Sequence, residues 1–222
     1  MGFSFVGNCQ IGFSIWHVNE WDFFIPILFW GVPYVEKKAF RKQQLGRLSQ
    51  MTPADRQRQN QALQTQLFAS PTWQTAQVIA MTISSDIEVA TRPLIEQAWA
   101  EGKMVVIPKT LPHRQMAFYP YQATDRLERT TFGIPEPVTG EPVAKQQIDL
   151  ILVPGLGYSR DRHARIGFGG GYYDRYLADY PGKKLTLAYD EMAFEHAEWP
   201  VDQYDVLLDE LLVAGDEQHD EN

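Results

Sequence analysis

The sequence predicts an α/β fold, a three-layer α/β/α single domain built around a mainly parallel sheet. Three observations lead there. Apolar stretches of strand character alternate along the chain with segments of helical periodicity, the order that builds parallel sheets through crossover helices. One of these stretches, DLILVPG from Asp149 to Gly155, is apolar at nearly every position, as a strand covered on both faces must be. A chain of 222 residues with 44% hydrophobic content can fill one such core and does not require a second large domain.

The elements follow in order. Residues 1–35 stand apart, with three of the six tryptophans and no lysine or arginine. They lack the positive start of a secretory signal, and the apolar run Phe23–Val35 contains two prolines and is too short to cross a bilayer as a helix. Composition changes abruptly at Glu36-Lys37-Lys38. The expectation is an atypical aromatic extension over 1–35, open to three readings (upstream translated sequence, a packed or floppy appendage, a membrane-associating segment), and a functional domain over 36–222. EKKAFRKQQLGRL predicts the first helix, with Phe40, Leu45 and Leu48 near one side and Lys37 and Arg41 as i,i+4 neighbours on another. Thr52-Pro53 and Ser70-Pro71 each read as an N-cap followed by proline at the first helical position. Gln77–Ile83 predicts a strand, and IEVATRPLIEQAWAEG a helix that Gly102 closes. Met104–Pro108 and Met116–Tyr121 predict strands, the second with a proline suited to a sheet edge. Phe132–Pro137 reads as a rigid proline loop. After Asp149–Gly155 and a charged loop, SRDRHAR, a helix is expected to run to Pro181-Gly182. KLTLAY and DVLLDELLV predict the last two strands.

Bulk charge narrows the function. The net charge of −8 and pI of about 5.1 argue against a protein that coats nucleic acid or an anionic membrane. The single cysteine, Cys9, excludes an intramolecular disulfide framework and favours a reducing, cytoplasmic setting. A monomer acting on small molecules, with neither nucleic acid nor membrane as partner, is the expectation.

The most informative stretch is RIGFGGGYYDRYL, Arg165–Leu177, in which four of the five residues from Gly167 to Gly171 are glycine. It is no Walker A loop, because Tyr-Tyr and not Lys-Ser/Thr follows Gly171. It is no dinucleotide fingerprint either, because position 172 is tyrosine where GxGxxG needs its last glycine. The physics beneath both motifs survives. A glycine loop entering a helix exposes backbone N–H groups at the positive end of the dipole, and Arg165 and Arg175 flank it with charge. Tyr172 and Tyr173 offer flat faces to a heterocycle, and Asp174 a hard oxygen ligand for Mg²⁺. Phosphate, ring and metal together indicate a nucleotide. The five histidines show no metal-ligand spacing, and no Ser-His-Asp or nucleophile-elbow pattern occurs.

RIGFGGGYYDR, with PGLGYSRDRHAR before it, resembles the signature of the 5-formyltetrahydrofolate cyclo-ligase (5,10-methenyltetrahydrofolate synthetase) family. KKAFR, SSDIEVATRPLI, GIPEP and QYDVLLDELLV agree with other landmarks of that family in order, so the resemblance covers about Lys37 to Val213. The aromatic extension departs from it, as does AYDEMAF, where a glutamine is expected near Met192. The resemblance implies ATP-dependent conversion of 5-formyltetrahydrofolate to 5,10-methenyltetrahydrofolate. It implies ATP contacts from Lys37, Arg41, Arg165, Gly167, Gly169, Gly170, Gly171, Tyr172 and Tyr173, and Mg²⁺ held by Asp174 and Asp205. It implies folate contacts from Glu88, Ile83 and Tyr172. A phosphate-facing Arg165 is expected to be solvated in the unliganded protein. No general base for N10 can be named. Two other readings stay open: a sugar-phosphate isomerase or lactonase on a related α/β scaffold, and a non-catalytic nucleotide- or RNA-binding module.

Overall fold

The computed structural model describes residues 35–129, 135–138 and 140–216. The N-terminal extension, and the Phe132–Ile134 part of the expected proline loop, therefore lie outside the described residues. Helix α1 (Lys37–Ser49) opens with the Glu36 carboxylate accepting from the Ala39 N–H at 3.1 Å. Helix α2 (Pro53–Ala69) is capped by Thr52 and the short α3 (Pro71–Thr75) by Ser70, each with proline in the first turn, as the sequence predicts. Strand β1 (Val78–Ala80), helix α4 (Arg92–Ala100), strand β2 (Met104–Leu111) and strand β3 (Gln115–Pro120) follow. A two-stranded ribbon, β4 (Leu127–Arg129) with β5 (Pro135–Pro137), precedes the apolar β6 (Leu150–Leu152). The chain then forms β7 (Gly157–Ser159), β8 (Arg165–Ile166), helix α5 (Tyr172–Leu177), β9 (Lys183–Ala188), β10 (Ala193–Phe194) and β11 (Glu210–Val213).

Among the described residues the main sheet runs β11-β9-β6-β1-β2-β3, parallel except where β3 pairs antiparallel with β2. Consecutive residues of a strand face opposite sides. Val105, Val106 and Ile107 are all buried, and so are Leu150, Ile151 and Leu152, so both faces of the sheet are covered. Pro120 sits on the edge strand β3. Pro108 lies beyond Val106, the last β2 residue paired with β1, so its missing N–H costs that ladder nothing. The chain moves one way from β1 to β2 and the other way from β6 to β9. The reversal falls between β1 and β6, the place where open α/β sheets bind ligands.

Several elements are shorter than the sequence suggests, for identifiable reasons. The helix expected from Ile87 begins only at Arg92, because Pro93 is tolerated in a first turn and not in a helix interior. Gly102 closes it as expected: at φ +73° its N–H reaches Trp99 O at 3.0 Å, and the Lys103 N–H reaches Ala98 O at 2.9 Å. Strand β1 ends at Ala80, where the chain leaves the sheet at the reversal point. Helix α5 stops at Leu177 and not near Pro181, because Tyr180 turns inward to hydrogen bond Ile148 O at 3.0 Å. Asp205 lies in a turn, its N–H bonded to Asp202 O at 3.1 Å, and the last strand starts only at Glu210.

Lys103 is a structural residue that composition does not reveal. It is buried, and its ammonium donates to the carbonyls of Trp73 (3.0 Å), Gln74 (3.3 Å) and Ala76 (2.8 Å), which α3 leaves without partners. The Glu101 carboxylate stands 3.6 Å away. Lys103→Met keeps the stem and removes the donors. It is expected to cost about 3 kcal/mol of stability, read as a lower urea midpoint at unchanged slope.

Candidate active site

The site is assembled from three pieces at the carboxyl edge of the sheet. The first is α1. Phe40 is buried against Trp199 (ring centroids 4.9 Å apart) and Phe194 (5.4 Å), which docks α1 onto the small β10-β7-β8 sheet. With Phe40 turned inward, Lys37 and Arg41 reach the segments around the site. Lys37 Nζ pairs with Asp205 (2.7 Å) and Asp202 (3.0 Å). Burial opposes the charge, but the Asp205 and Asp202 carboxylates hold the Lys37 ammonium above its ordinary value, so it is fully cationic. Arg41 Nε donates to Gly167 O at 2.8 Å, and its guanidinium lies against Gly169.

The second piece is the β7–β8 hairpin and the glycine loop. The charged segment read as a loop is the tip of this hairpin, closed by Ser159 N–H to Ala164 O at 2.9 Å. The hairpin presses Arg165 beneath the end of β6. There Nη1 donates to Pro154 O at 3.0 Å and Nη2 to Asp174 Oδ1 at 2.9 Å. Arg165 is only 6% exposed, which corrects the expectation of a solvated side chain. Its Nε is buried without a partner among the described residues. The loop turns at Gly169 (φ +100°) and Gly171 (φ +69°), which L side chains rarely adopt. Arg175 Nη1 binds Gly171 O at 2.9 Å. Because α5 has only six residues, the positive character of the loop comes from these cations more than from a helix dipole.

Tyr172 and Tyr173 pack their rings on the main core, and the Arg165 guanidinium stands 5.7 Å over the Tyr173 ring. The Tyr173 hydroxyl is enclosed and has no hydrogen-bond partner among the described residues. Burial pushes the Tyr173 and Tyr158 phenols far up, so both remain neutral and neither is a base near pH 7. Asp174 Oδ1 also accepts from the Val206 N–H at 3.5 Å, which ties this carboxylate to the segment that carries Asp205.

The third piece is a small cleft, open to solvent, at the sheet reversal. Glu88 and Thr91 line one side, Pro154, Gly155 and Tyr158 another, and Met192 closes it with Leu187. Met192 thus presents a thioether to the cleft. Ile83 packs on the main core and is not among the lining residues, so the structure does not bring it to the cleft with Glu88. Sequence reading missed Pro154, Gly155, Tyr158 and Thr91 as cleft residues. Position just after β6, a strand flanking the reversal, was the signal that could have found Pro154 and Gly155.

No group of three metal-ligating side chains occurs among the described residues. A hard divalent ion of the Mg²⁺ type takes one or two carboxylates and completes its shell with phosphate and water oxygens. Here each carboxylate is paired with a cation, Asp174 with Arg165 at 2.9 Å and Asp205 with Lys37 at 2.7 Å. No helix among the described residues is long and apolar enough to cross a membrane.

Fold and site together define the class: an α/β enzyme with a ligand cleft at the reversal of a mainly parallel sheet and a cationic glycine loop beside it. The family-level comparison is specific. Residues 33–214 match the 5-formyltetrahydrofolate cyclo-ligase family, and the chain belongs to that family. It is 32% identical to a probable 5-formyltetrahydrofolate cyclo-ligase of Caenorhabditis elegans, over 82% of this chain and 92% of that one. It is 28% identical to the 5-formyltetrahydrofolate cyclo-ligase of Mus musculus, over 79% and 92%. The solved structure of Aquifex aeolicus 5,10-methenyltetrahydrofolate synthetase superposes with a TM-score of 0.71 at 27% identity, covering 84% of this chain and 99% of that one.

Proposed function

We propose that the protein converts 5-formyltetrahydrofolate and ATP to 5,10-methenyltetrahydrofolate, ADP and phosphate. The acidic charge and single cysteine support a cytoplasmic setting. The observation that carries the reading is a shared wall. Pro154 and Gly155 line the cleft on one side. On the other, Pro154 O accepts from Arg165 at 3.0 Å. A ring bound in the cleft and a phosphate chain on the glycine loop would therefore meet across two residues, the proximity that phosphoryl transfer requires.

The chemistry explains why both halves are needed. The N5 formyl group is an amide, a poor electrophile whose oxygen leaves badly. Transfer of the γ-phosphoryl group to the formyl oxygen breaks the bond to ADP and makes the formyl carbon iminium-like. N10 then attacks that carbon, loses its proton, and phosphate departs with the former formyl oxygen. In this scheme Lys37, Arg41 and Arg165 neutralise phosphate charge, and the loop from Gly167 to Gly171 lets the backbone approach. Asp174 and Asp205 would hold Mg²⁺, which supplies further neutralisation of the phosphates when bound. Glu88 accepts from the N–H donors of the pterin edge. No histidine lines the cleft, so the N10 proton is left to water or to the departing phosphate.

The test is spectrophotometric: protein, 5-formyltetrahydrofolate and Mg²⁺, with and without ATP, followed at the near-ultraviolet band of the methenyl product. Growth of that band only with ATP is expected; no growth from folded protein overturns the proposal. In the same assay Glu88→Ala is expected to raise the folate KM by roughly 30-fold and leave the ATP KM within twofold, since it removes a charged hydrogen-bond partner of one substrate only. Equal increases for both substrates would assign Glu88 a structural role instead.

A further inference from the structure

The Glu88 carboxylate is held in place by its own loop. Its Oε2 accepts two hydrogen bonds from Ser85, from the backbone N–H at 2.9 Å and from the hydroxyl at 2.7 Å. Glu88's own N–H returns to Ser85 O at 3.2 Å. One carboxylate oxygen is thus committed to the protein, and Glu88 is among the residues that line the cleft.

The surrounding backbone is fixed from three directions. Ser84 and Thr91 close the loop reciprocally: Ser84 N–H donates to Thr91 Oγ1 at 2.9 Å, and Thr91 N–H to Ser84 Oγ at 3.1 Å. Asn60, on α2, accepts the Ala90 N–H at 3.0 Å. Tyr189, at the end of β9, places its hydroxyl 3.0 Å from both Glu88 O and Asn60 Oδ1, sharing one proton between them. Loop, α2 and Tyr189 therefore converge on the backbone that carries Glu88.

We infer that Ser85 is a positioning residue for the cleft carboxylate: its hydroxyl fixes the Glu88 rotamer so that Oε1 meets the donor edge of a planar, N–H-bearing heterocycle. This rests on the reading of the cleft as the folate site. Ser85 touches no substrate; it acts through Glu88, and the Tyr189 hydroxyl supports the same residue from the backbone side. Hydrogen bonds to an ionised carboxylate are stronger than neutral ones, so loss of one is felt in the geometry of the group it holds.

The experiment is a double-mutant cycle read in substrate-resolved kinetics and in equilibrium binding of 5-formyltetrahydrofolate without ATP. Ser85→Ala is expected to raise the folate KM and Kd about tenfold, with the ATP KM unchanged and Ser85→Thr restoring most of the affinity. In a Glu88→Ala background the same Ser85→Ala change is expected to shift folate affinity less than twofold, because the group it positions is gone. Tyr189→Phe, which removes only the hydroxyl, is expected to move folate affinity in the same direction and again not ATP. Additive losses, or a Ser85→Ala protein that binds folate as the wild type does, overturn the inference while leaving the proposed reaction standing. Wild-type protein that binds no folate in the equilibrium measurement overturns the reading of the cleft itself.

Discussion

Arg165→Ala is expected to lower kcat/KM for ATP by roughly 10³-fold, the scale of losing a fixed cation opposite a developing phosphoryl charge. It is also expected to destabilise the protein, which an exposed phosphate-binding arginine would not do. The side chain is 6% exposed and joins Pro154 O to Asp174 Oδ1 by bonds of 3.0 and 2.9 Å. Truncation leaves a buried carbonyl without its donor and Asp174 without its cation. Removing one partner of a fully buried pair costs 3–5 kcal/mol, and Asp174 is partly solvated, so a loss of about 2 kcal/mol is expected. Arg165→Lys separates the two effects. A lysine keeps the charge and cannot bridge Pro154 and Asp174 with one planar group, so it should recover part of the rate and little of the stability. Kinetics and urea unfolding on both variants check this. An Arg165→Ala protein with wild-type turnover would remove Arg165 from the reaction, and one with wild-type stability would contradict its buried placement.

The same residue shows what was legible in the sequence. RIGFGGGYYDR points to an anion site because glycine, arginine and acid are local choices, and local choices are visible in a sequence. The depth of Arg165 is not local. It depends on two residues, Arg165-Ile166, pairing with Gly157–Ser159 to form a hairpin too short to leave a period. The parallel order was readable where strands are continuously apolar, as at Leu150–Leu152. It was over-extended where the chain leaves the sheet to build the cleft, after Ala80 and before Glu210. Those exits place Glu88 in the cleft lining and the segment that carries Asp205 against Asp174. Pairings such as Lys37 with Asp205, separated by 168 positions, are set by the docking of Phe40 on Trp199 and carry no sequence signature.

Gly167→Ala is expected to reproduce most of the Arg165→Ala kinetic defect from a neighbouring backbone position, with a loss of about 10² in kcat/KM. Gly167 does not lie in the left-handed region, so its lack of a side chain is explained by space alone. A Cβ there would collide with Arg165 Nη1. That atom cannot move aside cheaply, being bonded to Pro154 O while Nη2 is bonded to Asp174. Gly171 makes the contrast. A Cβ there would meet Arg175 Nη1 at 2.7 Å, the end of an exposed, flexible side chain, and the cost comes instead from φ +69°. Gly171→Ala should therefore lose about 1 kcal/mol of stability through backbone strain and far less activity per unit of stability lost. The decisive comparison is Gly167→Ala in an Arg165→Ala background. With the guanidinium gone the added methyl loses its three nearest contacts, all of them Arg165 atoms, so the second substitution should change kcat/KM less than threefold. A full additional hundredfold loss would show that Gly167 serves the phosphate directly, by backbone approach, and not by making room for the arginine.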